Sequence, residues 1–443
     1  MISRQLAERE EQGKPIRVAT VGTGWMGTGF MAAVQHVPGM EIGIVVDEDA
    51  TVASETLQKY GGVSSDRIVA TDSPGKAQDA LVDGKVVVTP SLDLAVAMNG
   101  IDVFTDVTPS PASGAATALA AIDAGRDVVL INIETDVTVG AALQQRAKEK
   151  GAFYTVSSGD EPGCLMELWD FVSSLGYTPI VIGKGKNNPL NIEATPDTVR
   201  ESAEKANKDP AQVASYVDGS KTMFEMCCVA NATGCRPMQP GMIGPEATQP
   251  TISSIFALES DGGIAKFAGA VDYVQGSAMA GGVFVTVRID DARICDDLNY
   301  LKVGSGNYFT FFRPYHLWFL EAPISIARAV LNRETTLVPR DFPSADVVTV
   351  AKKHLAVGDS LDTFGGYTFR GVMYDVTQLP APSGATSGGG AWPLPAGLAP
   401  GAKMKKAVAL GEIVTWDDVE LDEGAPVVRL RRMQDSRREG EQT

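Results

Sequence analysis

One stretch, RVATVGTGWMGTGFMAAVQHVPGMEIGIVVD from Arg17 to Asp47, restricts the possible folds more than any other. Val18 to Val21 is a short β-branched run, and Gly22, Gly24 and Gly27 follow it directly at GxGxxG spacing. At the end of a strand such glycines give a tight turn, backbone N–H groups open to a pyrophosphate, and close packing of the next helix on the sheet. Trp25 and Met26 belong to the same turn. Asp47 ends a second apolar run about twenty residues past the last glycine, where an acid accepts the ribose hydroxyls of an adenosine. The spacing alone also fits an ordinary glycine turn. Strand before, helix after and acid in place imply a dinucleotide, NAD or NADP, with NAD favoured because Asp47, Glu48 and Asp49 would repel a 2′-phosphate.

At 443 residues the chain suggests two or three domains. Its five cysteines, Cys164, Cys227, Cys228, Cys235 and Cys295, include no CxxC pair, which argues against a disulfide framework and a structural zinc site and fits a reducing cytoplasm. A net charge of -17 disfavours nucleic acid and anionic membranes as partners. No apolar run approaches the roughly eighteen residues that span a bilayer, and the polar start MISRQLAEREEQGK does not read as a signal peptide.

The first 157 residues alternate strand and helix signals, the pattern of an α/β, Rossmann-type doubly wound parallel sheet. An amphipathic arm over 2–12 either packs on this domain or frays. Helical character over Thr51–Tyr60 gives way to a polar, turn-rich insert from Gly61 to Lys85, then to strands at VVVTPS, GIDVFTDVTPSP and GRDVVLINIETD. Ligands of such sheets sit beyond the carboxyl ends of the strands, which directs Thr108, Pro109, Asn132 and Glu134 toward the cofactor unless they serve the turns alone.

An α+β catalytic and dimerisation domain is expected over 158–344. Its most informative polar cluster is GKGKNNPLN: Lys184 and Lys186 flank a glycine and face one way on a strand, so their repulsion needs a bound anion or open solvent. Crowding of this kind also lowers a lysine pKa toward a useful acid or base range. Asp218, Lys221 and Glu225 follow at i, i+3 and i+7, which lines them along one helix face as either a salt-bridge ladder or a buried functional set. In FRPYHLWFLEAP, Arg313 suits bidentate recognition of phosphate or carboxylate, His316 is either a catalytic group or a core histidine, and Pro323 reads as a helix start. Few histidines and scattered cysteines leave any metal to oxygen ligands such as Asp160 and Glu161, hence Mg2+ or Mn2+. From Ala345 to 431 the chain reads as a small β-rich domain with a Pro/Gly/Ser linker at Pro380–Gly390, and 432–443 as a disordered tail.

The motifs GTGWMG, NIETDVTVG, SGDEPG with MELWDFVSSLGY, GKGKNNPLN, DGSKTM with ANATG, and FRPYHL, in this order, resemble the 1-deoxy-D-xylulose 5-phosphate reductoisomerase-like family, with its homoserine-dehydrogenase-like core. AKKHLAVGDSLD and KKAVALGEIVTWDDV resemble the two halves of a SAF domain. The resemblance implies a cytoplasmic homodimer that couples skeletal rearrangement of a small anionic sugar-derived substrate to hydride transfer. Lys184, Lys186, Lys221 and Arg313 would hold the anion, and Asp160, Glu161 and Asp218 would serve as metal or proton-relay carboxylates. A plain homoserine-type alcohol dehydrogenase and a non-catalytic nucleotide sensor are the alternatives.

Overall fold

The computed structural model describes residues 1–380 and 392–440, so all of the Pro/Gly/Ser linker except Pro380 lies outside the described residues. The described chain forms two units, one of residues 1–160 with 317–341, the other of 161–316 with 342–443.

In the first unit the β-branched runs form seven strands: β1 (Ile16–Val21), β2 (Met40–Val46), β3 (Ile68–Ala70), β4 (Val86–Thr89), β5 (Val103–Asp106), β6 (Asp127–Leu130) and β7 (Tyr154–Val156). All pair in parallel in the order β3-β4-β2-β1-β5-β6-β7. The strand order reverses beside β1, which places a ligand crevice at the carboxyl ends of β1, β2 and β5. The insert from Gly61 to Lys85 is more regular than its polarity suggests, since it holds β3 and a helix at Pro74–Val82, with the proline in the first turn, where no N–H is required. The arm is a helix, Ile2–Glu11, with Leu6 in the core.

The helix Trp318–Asn332 lies within the expected span 158–344 but belongs to the first unit. Its apolar stripe of Ala322, Ile326, Ala327 and Ala329 joins the core built on Val18, Phe30 and Val103, and Val156 N donates to Leu337 O at 2.8 Å along the free edge of β7. Pro323 lies inside this helix and does not start it.

The second unit is built on a mixed sheet of β8 (Pro179–Gly185), β9 (Arg236–Pro237), β10 (Ala270–Val274), β11 (Val283–Arg288), β12 (Gly304–Ser305) and β13 (Tyr308–Arg313), in the order β12-β13-β11-β8-β10-β9. Thus β8 is central, parallel to β10 and antiparallel to β11. The β-rich segment from Ala345 is part of this unit and not a separate body. Its hairpin, β14 (Ala345–Ala351) with β15 (Phe369–Asp375), meets the helix Ser220–Thr233 through the Phe224 ring, 5.1 Å from Phe364, and through Asn231 Oδ1, which accepts from Ser344 N and Ala345 N at 3.0 Å each. That is the work of the asparagine in ANATG.

The two matching phrases are halves of one local symmetry. Leu355 and Val408, equivalent in the repeat, exchange both backbone hydrogen bonds, and Gly358 N donates to Met404 O as the equivalent Gly411 N donates to Ala351 O. The expected disordered tail is instead a helix, Pro426–Gly440, up to the last described residue. Buried Arg431 ties it to Asp346 and to Asp435, which removes the freedom that its charged composition suggests. Among the described residues no helix is long and apolar enough to cross a membrane.

Candidate active site

In the first unit, the glycine turn does what its spacing requires. Gly22 has φ of +100°, and a Cβ there would lie 2.8 Å from Thr108 Cγ2; a Cβ on Gly27 would lie 2.5 Å from Gly22 O. Gly24 differs, because a Cβ on it would meet nothing within 4 Å. It caps the helix Trp25–Val34 without a side-chain bond, leaving first-turn N–H groups for a pyrophosphate. The half-buried Asp47 follows β2 and accepts from Thr23 Oγ1 at 2.6 Å and Asp49 N at 3.0 Å. Asp49 itself caps the helix Ala50–Lys59, so among the three acids expected to exclude a 2′-phosphate one has a structural task. These features fit a nicotinamide dinucleotide. Trp25 sits edge-on to Trp318, centroids 4.9 Å apart, and Met26 packs on the core.

Thr108 and Pro109 follow β5 as expected, but the nearby polar groups converge on a residue that the sequence did not single out. Buried Asp106 accepts from Thr108 Oγ1 at 2.7 Å, Ser113 Oγ at 2.8 Å and Asn132 Nδ2 at 3.1 Å. Burial raises its pKa, and bonds from Thr108, Asn132 and Ser113 work against that rise. The Asn132 amide also donates to Ser110 O at 2.8 Å while its oxygen caps the helix Ile133–Lys150 through Thr135 N. Its side chain is therefore bonded within the scaffold at all three of these contacts. Glu134 lies in the first turn of the same helix, half-buried.

In the second unit the GKGK phrase is a strand with two different faces. On one face Gly183 is pressed by Asp272 O, where a Cβ would sit at 2.2 Å, and Gly185 by Met279 O at 1.7 Å. Period two then turns Lys184 and Lys186 to the other face, both buried, as the spacing predicts. The helices Glu161–Ser174 and Ser220–Thr233 each bring a buried glutamate to Lys184 Nζ: it donates to Glu161 Oε1 and Glu225 Oε2. Burial works against the Lys184 charge, but the two carboxylates outweigh it and hold its pKa above the usual value. Lys186 Nζ donates to Tyr216 O, a carbonyl in the last turn of the helix Pro210–Val217. With no carboxylate bonded to it, burial first and the Lys184 charge second push it down to about 8. His316 Nδ1 lies 2.9 Å from Gly281 O, which can only accept, so Nδ1 carries a proton and Nε2 is left facing Glu161 Oε1 at 3.5 Å.

The expected Asp218–Lys221–Glu225 helix face is not formed. Asp218 is the C-cap of Pro210–Val217, Gly219 at φ +89° breaks the chain direction, and only Lys221 and Glu225 share the next helix. Buried Asp218 accepts from Ser220 N at 2.8 Å and pairs at 3.0 Å with Lys352, a cation that went unnoticed in the sequence because its partner lies far away along the chain. Burial raises the Asp218 pKa and Lys352 opposes the rise. Lys221 is half-buried near the start of its helix. Arg313 pairs with Glu167 at 3.0 Å and lies over the Tyr315 ring at 4.8 Å. Asp160 immediately precedes Glu161 in the chain, and Glu161 and His316 could each offer one ligand atom to a cation. Lys184 Nζ already donates to Glu161 Oε1, however, so a divalent ion at this oxygen would have to share it with a buried ammonium.

Comparison with known families matches residues 159–322 to the family described as oxidoreductase DRL, catalytic domain. Comparison with curated proteins finds no match. Solved structures to which the chain is similar include a DOX-P reductoisomerase with fosmidomycin and magnesium, at 18% identity, 48% of this chain, 57% of that chain and TM-score 0.33. The chain thus spans little more than half the length of that reductoisomerase. GenD2 from gentamicin A biosynthesis, in complex with NAD, matches at 16% identity over 74% of this chain and 90% of that chain, TM-score 0.38. KijD10, a 3-ketoreductase from Actinomadura kijaniata in complex with NADP, matches at 12% identity over 72% and 91%, TM-score 0.35. These likenesses are too low to carry a substrate or a mechanism. The first unit thus holds a dinucleotide-type sheet, and residues 159–322 match an oxidoreductase catalytic domain.

Proposed function

We propose that this chain is an NAD(P)-dependent oxidoreductase that interconverts a hydroxyl and a carbonyl on a small anionic, sugar-derived acid, and that a skeletal rearrangement of the substrate accompanies the hydride transfer. The observation that carries the reading is the pair of buried lysines at the end of β8, Lys184 within the strand and Lys186 just past it, within the matched catalytic domain. Among the described residues Lys184 uses two N–H groups on glutamates and Lys186 uses one on Tyr216, so N–H donors remain on both for substrate oxygens. The nicotinamide supplies or accepts the hydride when bound. Lys184, permanently charged, stabilises negative charge that develops on the substrate oxygen. Lys186 has a pKa of about 8, which lets it give a proton to that oxygen or take one from it near neutrality.

A panel of tetronates, branched sugar acids and pentulose phosphates, assayed for NAD reduction and NADPH oxidation with and without magnesium, tests the reading. Failure of every acid and phosphate would overturn it. A product with an unrearranged carbon skeleton would instead favour simple alcohol oxidation.

The pH dependence follows from Lys186. Alcohol oxidation needs the neutral amine, so kcat/KM should rise with pH and level off above about 8; carbonyl reduction needs the ammonium and should fall over the same range. Lys186→Met should remove this limb in both directions. An unchanged profile in that variant would assign the ionisation elsewhere.

NAD preference is part of the same proposal. Asp47→Ser should weaken NADH by about ten- to a hundredfold, the value of a hydrogen bond to a charged acceptor, and should let NADPH bind. Tighter binding of NADPH than NADH by the unaltered protein would show that Asp47 does not select the cofactor.

A further inference from the structure

Glu161 and Glu225 direct their carboxylates at one nitrogen, Lys184 Nζ, and all three side chains are at least 94% hidden, with exposures of 3%, 3% and 6%. Two buried carboxylates converging from different helices on one point is the oxygen donor arrangement that suits Mg2+ or Mn2+. Here the point is taken. We infer that the Lys184 ammonium stands in the place of a divalent cation between Glu161 and Glu225, and that this site works without a bound metal ion.

Three observations support this. First, Lys184 cannot easily withdraw. It lies on the central strand of the sheet, paired with Tyr273 on one side and Val283 on the other, between two glycines that backbone carbonyls press from behind. Turning the lysine away would require the strand to turn. Secondly, a divalent ion would arrive beside Lys184 and next to Lys186 on the same face, and repulsion from an ammonium is severe where burial lowers the dielectric. Thirdly, the oxygens that face the common point are already engaged: Glu161 Oε1 and Glu225 Oε2 both accept from Lys184 Nζ, and Glu161 Oε1 also faces His316 Nε2 at 3.5 Å. An ammonium also differs from a metal in what it can do. It offers one remaining N–H to one substrate oxygen, where a metal could chelate adjacent hydroxyl and keto oxygens together. The substrate is therefore recognised by single donors, with Lys186 as the second.

The inference rests on reading the β8 lysine face as the active site, but its test does not depend on turnover. The full chain is dialysed against EDTA and titrated with MnCl2, with free Mn2+ followed by electron paramagnetic resonance and binding by calorimetry. The unaltered protein is expected to show no stoichiometric binding in the millimolar range that depends on Glu161. Lys184→Ala, which leaves the carboxylates facing each other, is expected to gain one Mn2+ per chain, and Lys184→Ala with Glu225→Gln to lose it. Binding by the unaltered protein that Glu161→Gln or Glu225→Gln abolishes would overturn the inference, as would a folded Lys184→Ala that takes up no Mn2+. If Lys184→Ala does not fold, the unaltered protein and its Glu161→Gln and Glu225→Gln controls decide the question alone. Binding that survives both controls lies elsewhere and leaves this site metal-free. Absence of sugar-acid turnover would count against the proposed reaction and leave the Mn2+ comparison standing.

Discussion

Lys184→Met is expected to lower turnover by about three orders of magnitude, within the range of a lost proton-transfer or charge-stabilising group, and to cost the fold about 3–5 kcal/mol. The stability term arises because methionine keeps the length of the side chain but leaves the buried carboxylates of Glu161 and Glu225 without the ammonium between them. Breaking a buried ion pair from one side is costly for that reason, even where the intact pair adds little. Urea denaturation and steady-state kinetics on the same preparation check both parts. Adding Glu225→Gln to Lys184→Met should recover part of the stability and none of the turnover, since the second change removes a stranded charge without restoring the ammonium. Dinucleotide affinity should stay within about twofold, because residues acting on the substrate alone contribute nothing to binding in the first unit. A Lys184→Met variant with near-normal turnover would reduce this lysine to a structural counterion.

The second large effect is expected at glycines of opposite character. Gly185→Ala should destabilise by more than about 4 kcal/mol, the range reserved for changes that the structure cannot relax around. Its Cβ would lie 1.7 Å from Met279 O and 2.4 Å from Met279 C, both backbone atoms. Gly183→Ala meets Asp272 O at 2.2 Å and the Phe284 ring at 2.7 Å and should behave alike. Gly24→Ala meets nothing and has φ of -66°, so its stability should stay within about 0.5 kcal/mol while dinucleotide affinity falls. Thermal unfolding separates the two classes, and fluorescence titration with NADH reads the affinity. Equal stability loss in Gly24→Ala and Gly185→Ala would show that the space around Gly24 is filled by the protein and not reserved for a ligand.

The contrast also explains what was readable in advance. Local periodicity carried its information well: period two put Lys184 and Lys186 on one face, and GxGxxG between a strand and a helix located the cradle. Spacing failed where a single residue changed the chain direction. Gly219 in the left-handed region separates Asp218 from Lys221, so an apparent helix face is a cap followed by a new helix. Long-range pairing was not legible at all. Nothing near Lys352 announces Asp218, and nothing near Asp106 announces that Ser113 and Asn132 will meet there. Glu161 and Glu225 were visible as acids, but their role depends on a lysine that reaches both only after the sheet has formed.

The paired phrases near the C-terminus carry one more lesson. Gly358 N answers Met404 O and Gly411 N answers Ala351 O, so each copy supplies the donors that the other copy's carbonyls need. Half of such a repeat is not half of a domain. A fragment that stops after the first phrase would leave its carbonyls without these donors, so neither phrase can be deleted without unmaking the other's hydrogen bonds.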